Sequence, residues 1–181
     1  MVDNDLTLED RGHMVTLLDR SGTPAHNANM SEILMTELDL SNLGDRSVSS
    51  GEIKRVPLAL AYSGIGIFFP GVSACLPTVI WSPTAPDVLA MHIASPLNTP
   101  NELERAIAAY KSQNPLSGAS FHISSARVIS PEEYRIAKIP GRKENEAYLR
   151  SLTTIKKIFT DLPLGVNLSF HPAHGFQIVR T

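Results

Sequence analysis

Residues 78–94, TVIWSPTAPDVLAMHIA, constrain the fold more than any other stretch of the chain. TVIW and DVLAMHIA are short apolar runs, and the turn-forming residues Ser-Pro-Thr-Ala-Pro lie between them. Brief apolar runs bounded by Pro and Ser punctuation are the mark of buried strands. The pattern predicts a strand–loop–strand unit, and so a sheet that the rest of the chain must cover.

The segments on either side supply that cover. The clearest helix start in the sequence comes directly after, with Thr99 as N-cap, Pro100 as first helical residue and Glu102 as capping-box partner. Leu103, Ala106, Ile107 and Tyr110 then share one face, and Asn114-Pro115 stops the helix. Upstream, VPLALAYSGIGIFF (56–69) reads as a strand with a glycine-containing bend. Downstream, ASFHIS (119–124) reads as a strand. A second amphipathic helix is expected from Asn145 to Phe159, with Tyr148, Leu152, Ile155 and Phe159 on one stripe. VNLSFHPAHGFQIVR (166–180) flanks the turn residues PAHG with two runs and predicts a terminal β-hairpin. The resulting order is three strands, helix, strand, helix, hairpin. This is an α/β mixed-sheet layered fold, with β-sheets flanked by helices. No GxGxxG or phosphate loop argues for a nucleotide-binding sheet.

Charge divides the chain. Residues 1–55 hold five Lys/Arg against ten Asp/Glu, and residues 56–181 hold eleven against eight. The first part is also rich in Asn, Ser and Gly, and reads as an acidic, loosely structured lead-in with one short helix from Ser31 to Leu38. The compact domain is expected over 56–181. A net charge of -2 gives no electrostatic footprint for nucleic acid. No apolar run is long enough for membrane insertion, and no apolar export signal is readable. A single cysteine forms no internal disulfide, so a reducing, cytoplasmic setting is expected, including that of an effector delivered into another cell's cytosol.

That cysteine is the centre of the chemical reading. In PGVSAC, Gly71, Ser73 and Ala74 precede Cys75 and make a turn with little side-chain bulk. Such a turn lets a substrate approach closely and leaves backbone N–H groups facing a developing oxyanion. His92 lies seventeen residues on, within the second apolar run. If the two strands pair, its imidazole reaches the thiol and a Cys–His nucleophilic pair results. The bland alternative is a buried thiol acting as a small hydrophobe beside a core histidine. His122 or Ser120 would orient His92 as third member. His171 and His174 span a turn with no nearby carboxylate or cysteine, and read as turn residues before metal ligands.

The block GVSACLPTVIWSPTAPDVLAMHIASP resembles the active-site segment of the chemoreceptor glutamine deamidase (CheD) family, whose catalytic module recurs in toxins of the cytotoxic necrotizing factor type. A fainter likeness continues through NELERAIAAY, SGASFHI, IPGRKENEAYLRSLTTIKKIF and the terminal hairpin, covering roughly residues 60–181. The resemblance implies a cysteine-dependent protein glutamine deamidase acting without a cofactor. Cys75 would be the nucleophile, His92 the base, and the backbone of Ser73 and Ala74 would serve the oxyanion. The partner would be a protein carrying the target glutamine, met in signalling or as the victim of an effector or toxin. The receptor deamidases have a threonine six residues before the cysteine, where this chain has Phe69; the toxins are thought to use a backbone carbonyl instead. ACLPTVIWSPTAPDVLAMHIAS also resembles the laccase-domain purine nucleoside phosphorylases, in which the cysteine and histidine bind zinc. That family needs a further histidine upstream of the cysteine, where His26 is the nearest, and lies in the lead-in. A non-catalytic binding module on the same scaffold is the third possibility.

Overall fold

The computed structural model describes residues 32–34, 42–115, 121–128, 139–152, 156–162 and 166–180. The described elements run, in order, β1 (Glu32–Leu34), β2 (Ile53–Pro57), α1 (Leu58–Ala61), β3 (Ile67–Val72), β4 (Leu76–Trp81), β5 (Asp87–Ile93), α2 (Pro100–Gln113), β6 (His122–Val128), α3 (Arg142–Ser151), β7 (Lys156–Leu162), β8 (Val166–His171) and β9 (Gly175–Arg180).

They form two sheets and an outer helical layer. One sheet has the order β1-β9-β8-β3 and the other β2-β5-β4-β6-β7. Pairing is antiparallel except for β1 with β9 and β6 with β7. The inner faces meet in one apolar cluster: Ile67, Phe69 and Val72 of β3 with Leu168, Phe170 and Phe176 of the hairpin, against Val79, Val88 and Ala90 of β4 and β5. Residues of opposite parity in β4 and β5, Leu76, Ile80, Leu89, Met91 and Ile93, turn outward under Leu103, Ile107 and Tyr110 of α2 and Leu149 of α3. Both faces of the central strands are therefore buried, and β4 is buried at every position. Continuous apolar runs, rather than alternation, are what that burial requires.

The strand–loop–strand unit folds as predicted, with β4 and β5 antiparallel and Leu76 opposite Ile93, Pro77 opposite His92. The start of α2 also matches: the Thr99 Oγ1 accepts the Glu102 N–H at 3.4 Å. The Glu102 carboxylate does not close the box, and accepts instead from Asn98 Nδ2. The terminal hairpin pairs Phe170 with Phe176 around the PAHG turn.

Four expectations need correction. Glu32–Leu34 is a strand parallel to β9, not part of a helix from Ser31. The boundary at residue 56 comes too late: Val48 is fully buried in the main core, Leu43 is buried beside Ile65, Phe68 and Val179, and β2 begins at Ile53. The segment 56–69 breaks into the end of β2, the helical turn α1 and β3. Finally, the helix expected to reach Phe159 ends at Ser151, and Lys156–Leu162 joins the sheet as β7 beside β6. The β-branched run Thr153-Thr154-Ile155 comes just after the helix end, and such residues lose rotamer freedom in a helix while fitting a pleated surface. Sheet pairing outweighs the helical spacing of the apolar positions.

Candidate active site

Cys75 sits between β3 and β4, and the route into that turn is set by a bulge. Ile67, Phe68 and Phe69 pair with Phe170, Ser169 and Leu168, but Val72 pairs with Val166, one residue out of step. The extra residue falls at Pro70-Gly71. Gly71 takes φ +61, and its N–H donates to Asn167 Oδ1 at 2.8 Å. A bulge bends its strand and re-aims the side chains beyond it. Here it restores Val72 to the core face and carries Ser73, Ala74 and Cys75 across to the end of β4. Ser73 and Ala74 are half-buried and Cys75 is buried. Among the described residues, the N–H groups of Ser73, Ala74 and Cys75 donate to no protein acceptor. These three amides, in a turn of small residues, are thus unpaired among the described residues.

His92 lies on β5, the strand paired with β4. Side chains alternate along a strand, so Cys75 shares the parity of Pro77, Val79 and Trp81, and His92 that of Ala90 and Val88. Val79, Trp81, Val88 and Ala90 all lie in the inter-sheet core. Pro77 faces His92, and Cys75 comes two residues before Pro77, just outside the paired residues of β4. The imidazole itself is fully buried. Phe69, across the sandwich, meets it edge-on with ring centroids 5.7 Å apart at 78°.

The hydrogen bonds of that ring are unequal. Nδ1–H donates to the Val48 carbonyl at 2.8 Å, which fixes the tautomer. Nε2, buried, has no hydrogen-bond partner. Burial holds the His92 pKa below the ordinary histidine value, opposed by the Val48 carbonyl and the charge of Glu52. The resting ring is neutral, with an acceptor lone pair on Nε2. The thiol's own partner is Ser50, whose Oγ lies 3.4 Å from Sγ. Ser50 is exposed, so the thiol lies just below the surface.

Val48 and Ser50 belong to one turn, which is held from several sides. Glu52 N–H donates to the Ser49 carbonyl at 2.9 Å, and Ser49 N–H to Glu52 Oε2 at 2.8 Å. Gly51 N–H donates to the His92 carbonyl at 2.7 Å, and Asn98 Nδ2 to the Gly51 carbonyl at 3.2 Å. Asn98 also accepts the Ala94 N–H through Oδ1, and its carbonyl accepts from Asn145 Nδ2, both at 2.9 Å. A buried polar network thus ties the turn to the ends of β5 and α3.

Ser73 and Ala74 precede Cys75 in the turn before β4, His92 lies on the neighbouring β5 with no hydrogen bond between Nε2 and the thiol, and His122 lies at the far end of β4. His122 pairs with Trp81 in the β4–β6 register and stacks on its indole at 4.5 Å. Trp81 is the last residue of β4, so about 20 Å of strand separates it from Cys75. The Val48 carbonyl occupies the orienting position that His122 was expected to fill, and Ser120 lies outside the described residues. His171 donates from Nε2 to the Tyr62 carbonyl at 3.1 Å and accepts the Ala173 N–H on Nδ1 at 3.0 Å. With both nitrogens engaged it braces the hairpin. Among the described residues no third His, Cys, Asp or Glu joins Cys75 and His92 in a metal-sized group, and His26 lies outside them.

The chain matches no protein-family model and no curated protein. Among the described residues, no helix is long and apolar enough to cross a membrane.

Sequence reading missed Val48 and Ser50. A backbone carbonyl leaves no side-chain signature, and the only hint was one valine isolated in the polar run DRSVSSGE.

Proposed function

We propose that the protein is a cysteine-dependent amide hydrolase, and specifically a deamidase of glutamine side chains in a partner protein. One observation carries the hydrolase reading. A buried neutral imidazole is locked by Val48 through Nδ1, and keeps an unpartnered Nε2 on the strand paired with the one that Cys75 leads into. A general base needs one ring nitrogen held and the other free to accept a proton, and His92 has that form. The glutamine specificity rests on the likeness of residues 71–96 to the deamidase segment. A backbone carbonyl in the third role agrees with the toxin branch of that resemblance and makes the missing threonine at Phe69 dispensable.

The chemistry then runs through this chain's own groups. His92 Nε2 takes the Cys75 proton, and the thiolate attacks the side-chain carboxamide carbon. The carbonyl electrons move onto oxygen, facing the amides of Ser73, Ala74 and Cys75, each well-placed donor contributing about 3 kcal/mol. Collapse expels ammonia, which receives the proton from Nε2, and leaves a thioester. Water, deprotonated by Nε2, attacks the thioester, releasing glutamate and restoring the thiol. The product carries one additional negative charge.

The test is intact-mass analysis of candidate bacterial and host proteins co-expressed with this chain. A target should gain about one dalton, the mass change of amide hydrolysis through this nucleophile, and Cys75→Ser should abolish it. A gain that persists with Cys75→Ser refutes the mechanism.

A further inference from the structure

The thiol has a second neighbour that the hydrolase chemistry above does not use. Ser50 Oγ is 3.4 Å from Cys75 Sγ and is the thiol's hydrogen-bonding partner, while His92 Nε2 has none. We infer that Ser50 is a catalytic residue that holds the Cys75 thiolate, donating its hydroxyl proton to sulfur once His92 has taken the thiol proton. The inference rests on the Cys75–His92 reading and deepens it.

Ionisation decides which group can donate. In the neutral pair either the S–H or the O–H can be the donor. After Sγ loses its proton to Nε2, only the hydroxyl can. The Ser50 bond therefore changes from neutral to charge-assisted on ionisation and stabilises the thiolate over the thiol. No covalent step is added; one proton passes from sulfur to nitrogen, and the hydroxyl keeps its own.

The position of the hydroxyl is not left to a loose loop. The turn is tied by the Ser49–Glu52 bonds, by Gly51 N–H to the His92 carbonyl, and by Asn98 Nδ2 to the Gly51 carbonyl. Gly51 takes φ +83, and a Cβ there would meet Leu97 Cδ1 at 3.2 Å. The same short turn holds both halves of the pair, Val48 through its carbonyl and Ser50 through its hydroxyl. The charged and titratable groups around them are His92 from β5, with Glu52 on the turn and its partner Lys54 at the start of β2. The elements facing from the other sheet contribute the apolar ring of Phe69.

The measurement is the pH–rate profile of iodoacetamide alkylation of Cys75, the chain's single thiol, in the intact 181-residue chain. Wild type is compared with Ser50→Ala, Ser50→Thr and His92→Ala. Ser50 is exposed, so its variants should keep the wild-type urea midpoint. Ser50→Ala should be alkylated about tenfold more slowly than wild type near neutral pH, and Ser50→Thr, which keeps the hydroxyl, should restore the rate. A merely structural turn residue would not produce a loss of thiol reactivity that a hydroxyl rescues at an unchanged urea midpoint. If the wild-type and Ser50→Ala curves coincide while His92→Ala differs, the role of Ser50 alone is overturned. If all three coincide, the Cys75–His92 pair is overturned and this inference with it. Faster alkylation of Ser50→Ala than of wild type makes Ser50 a shield, and also overturns it.

Discussion

If the proposed deamidase resemblance holds, Phe69 takes the place of a threonine, so installing threonine there is the natural perturbation. The structure says the change damages the protein. Phe69 is fully buried between the sheets, packed on Phe176 at 5.7 Å and edge-on to the His92 ring. Truncating a buried phenylalanine costs about 3–5 kcal/mol. Threonine recovers part of that through its methyl but adds a hydroxyl in an apolar setting, a further cost of about 1–3 kcal/mol. The net expectation is a loss of about 5 kcal/mol, a large share of the roughly 5–15 kcal/mol that stabilises a domain. Urea unfolding followed through the single tryptophan, Trp81, which is buried and stacked on His122, reads it directly. With a slope of about 2 kcal/mol per molar, the midpoint should fall by about 2.5 M. Phe69→Leu keeps most of the volume and should lose only about 1–2 kcal/mol, a shift below about 1 M. A Phe69→Thr midpoint within about 0.5 M of wild type, allowing for the slope above, would show that this ring is not the inter-sheet wall against which His92 is packed.

Two further outcomes come from the same geometry. His92 has its folded pKa depressed by burial, so the unfolded chain binds the extra proton first as pH falls. Its contribution to stability is complete above the unfolded value of about 6.5 and is lost as pH drops through the folded one; urea midpoints should decline below about pH 6.5, and less steeply in His92→Gln. A wild-type midpoint that His92→Gln leaves with unchanged pH dependence contradicts this. Gly66 takes φ +75, and a Cβ there would collide with the Phe170 carbonyl oxygen and press on that of Ala61. Gly66→Ala should destabilise by about 3 kcal/mol or more, measured by the same unfolding, because backbone atoms on both sides cannot give way.

The parts legible in the sequence are those whose information is local. The turn chemistry of SPTAP between two apolar runs, the Thr99-Pro100 helix start and the PAHG hairpin each specify a short-range geometry, and each forms as read. The end of α3 was not legible, because the stripe Tyr148, Leu152, Ile155, Phe159 satisfies helical spacing while β7 is chosen by its pairing with β6. Residues 42–55 read as a polar lead-in because their burial depends on single residues, Leu43 and Val48, reaching distant partners.

For the site, the sequence by itself determined the groups on which the proposal rests: one thiol in a turn of small residues, and one histidine in the strand that returns beside it. Tertiary structure alone decided the register of β4 with β5, the burial that keeps the imidazole neutral, and the partner of Nδ1. The physical reason is that a main-chain carbonyl is the same in every residue, so only folding reveals that Val48, forty-four positions before His92, supplies the one that orients it.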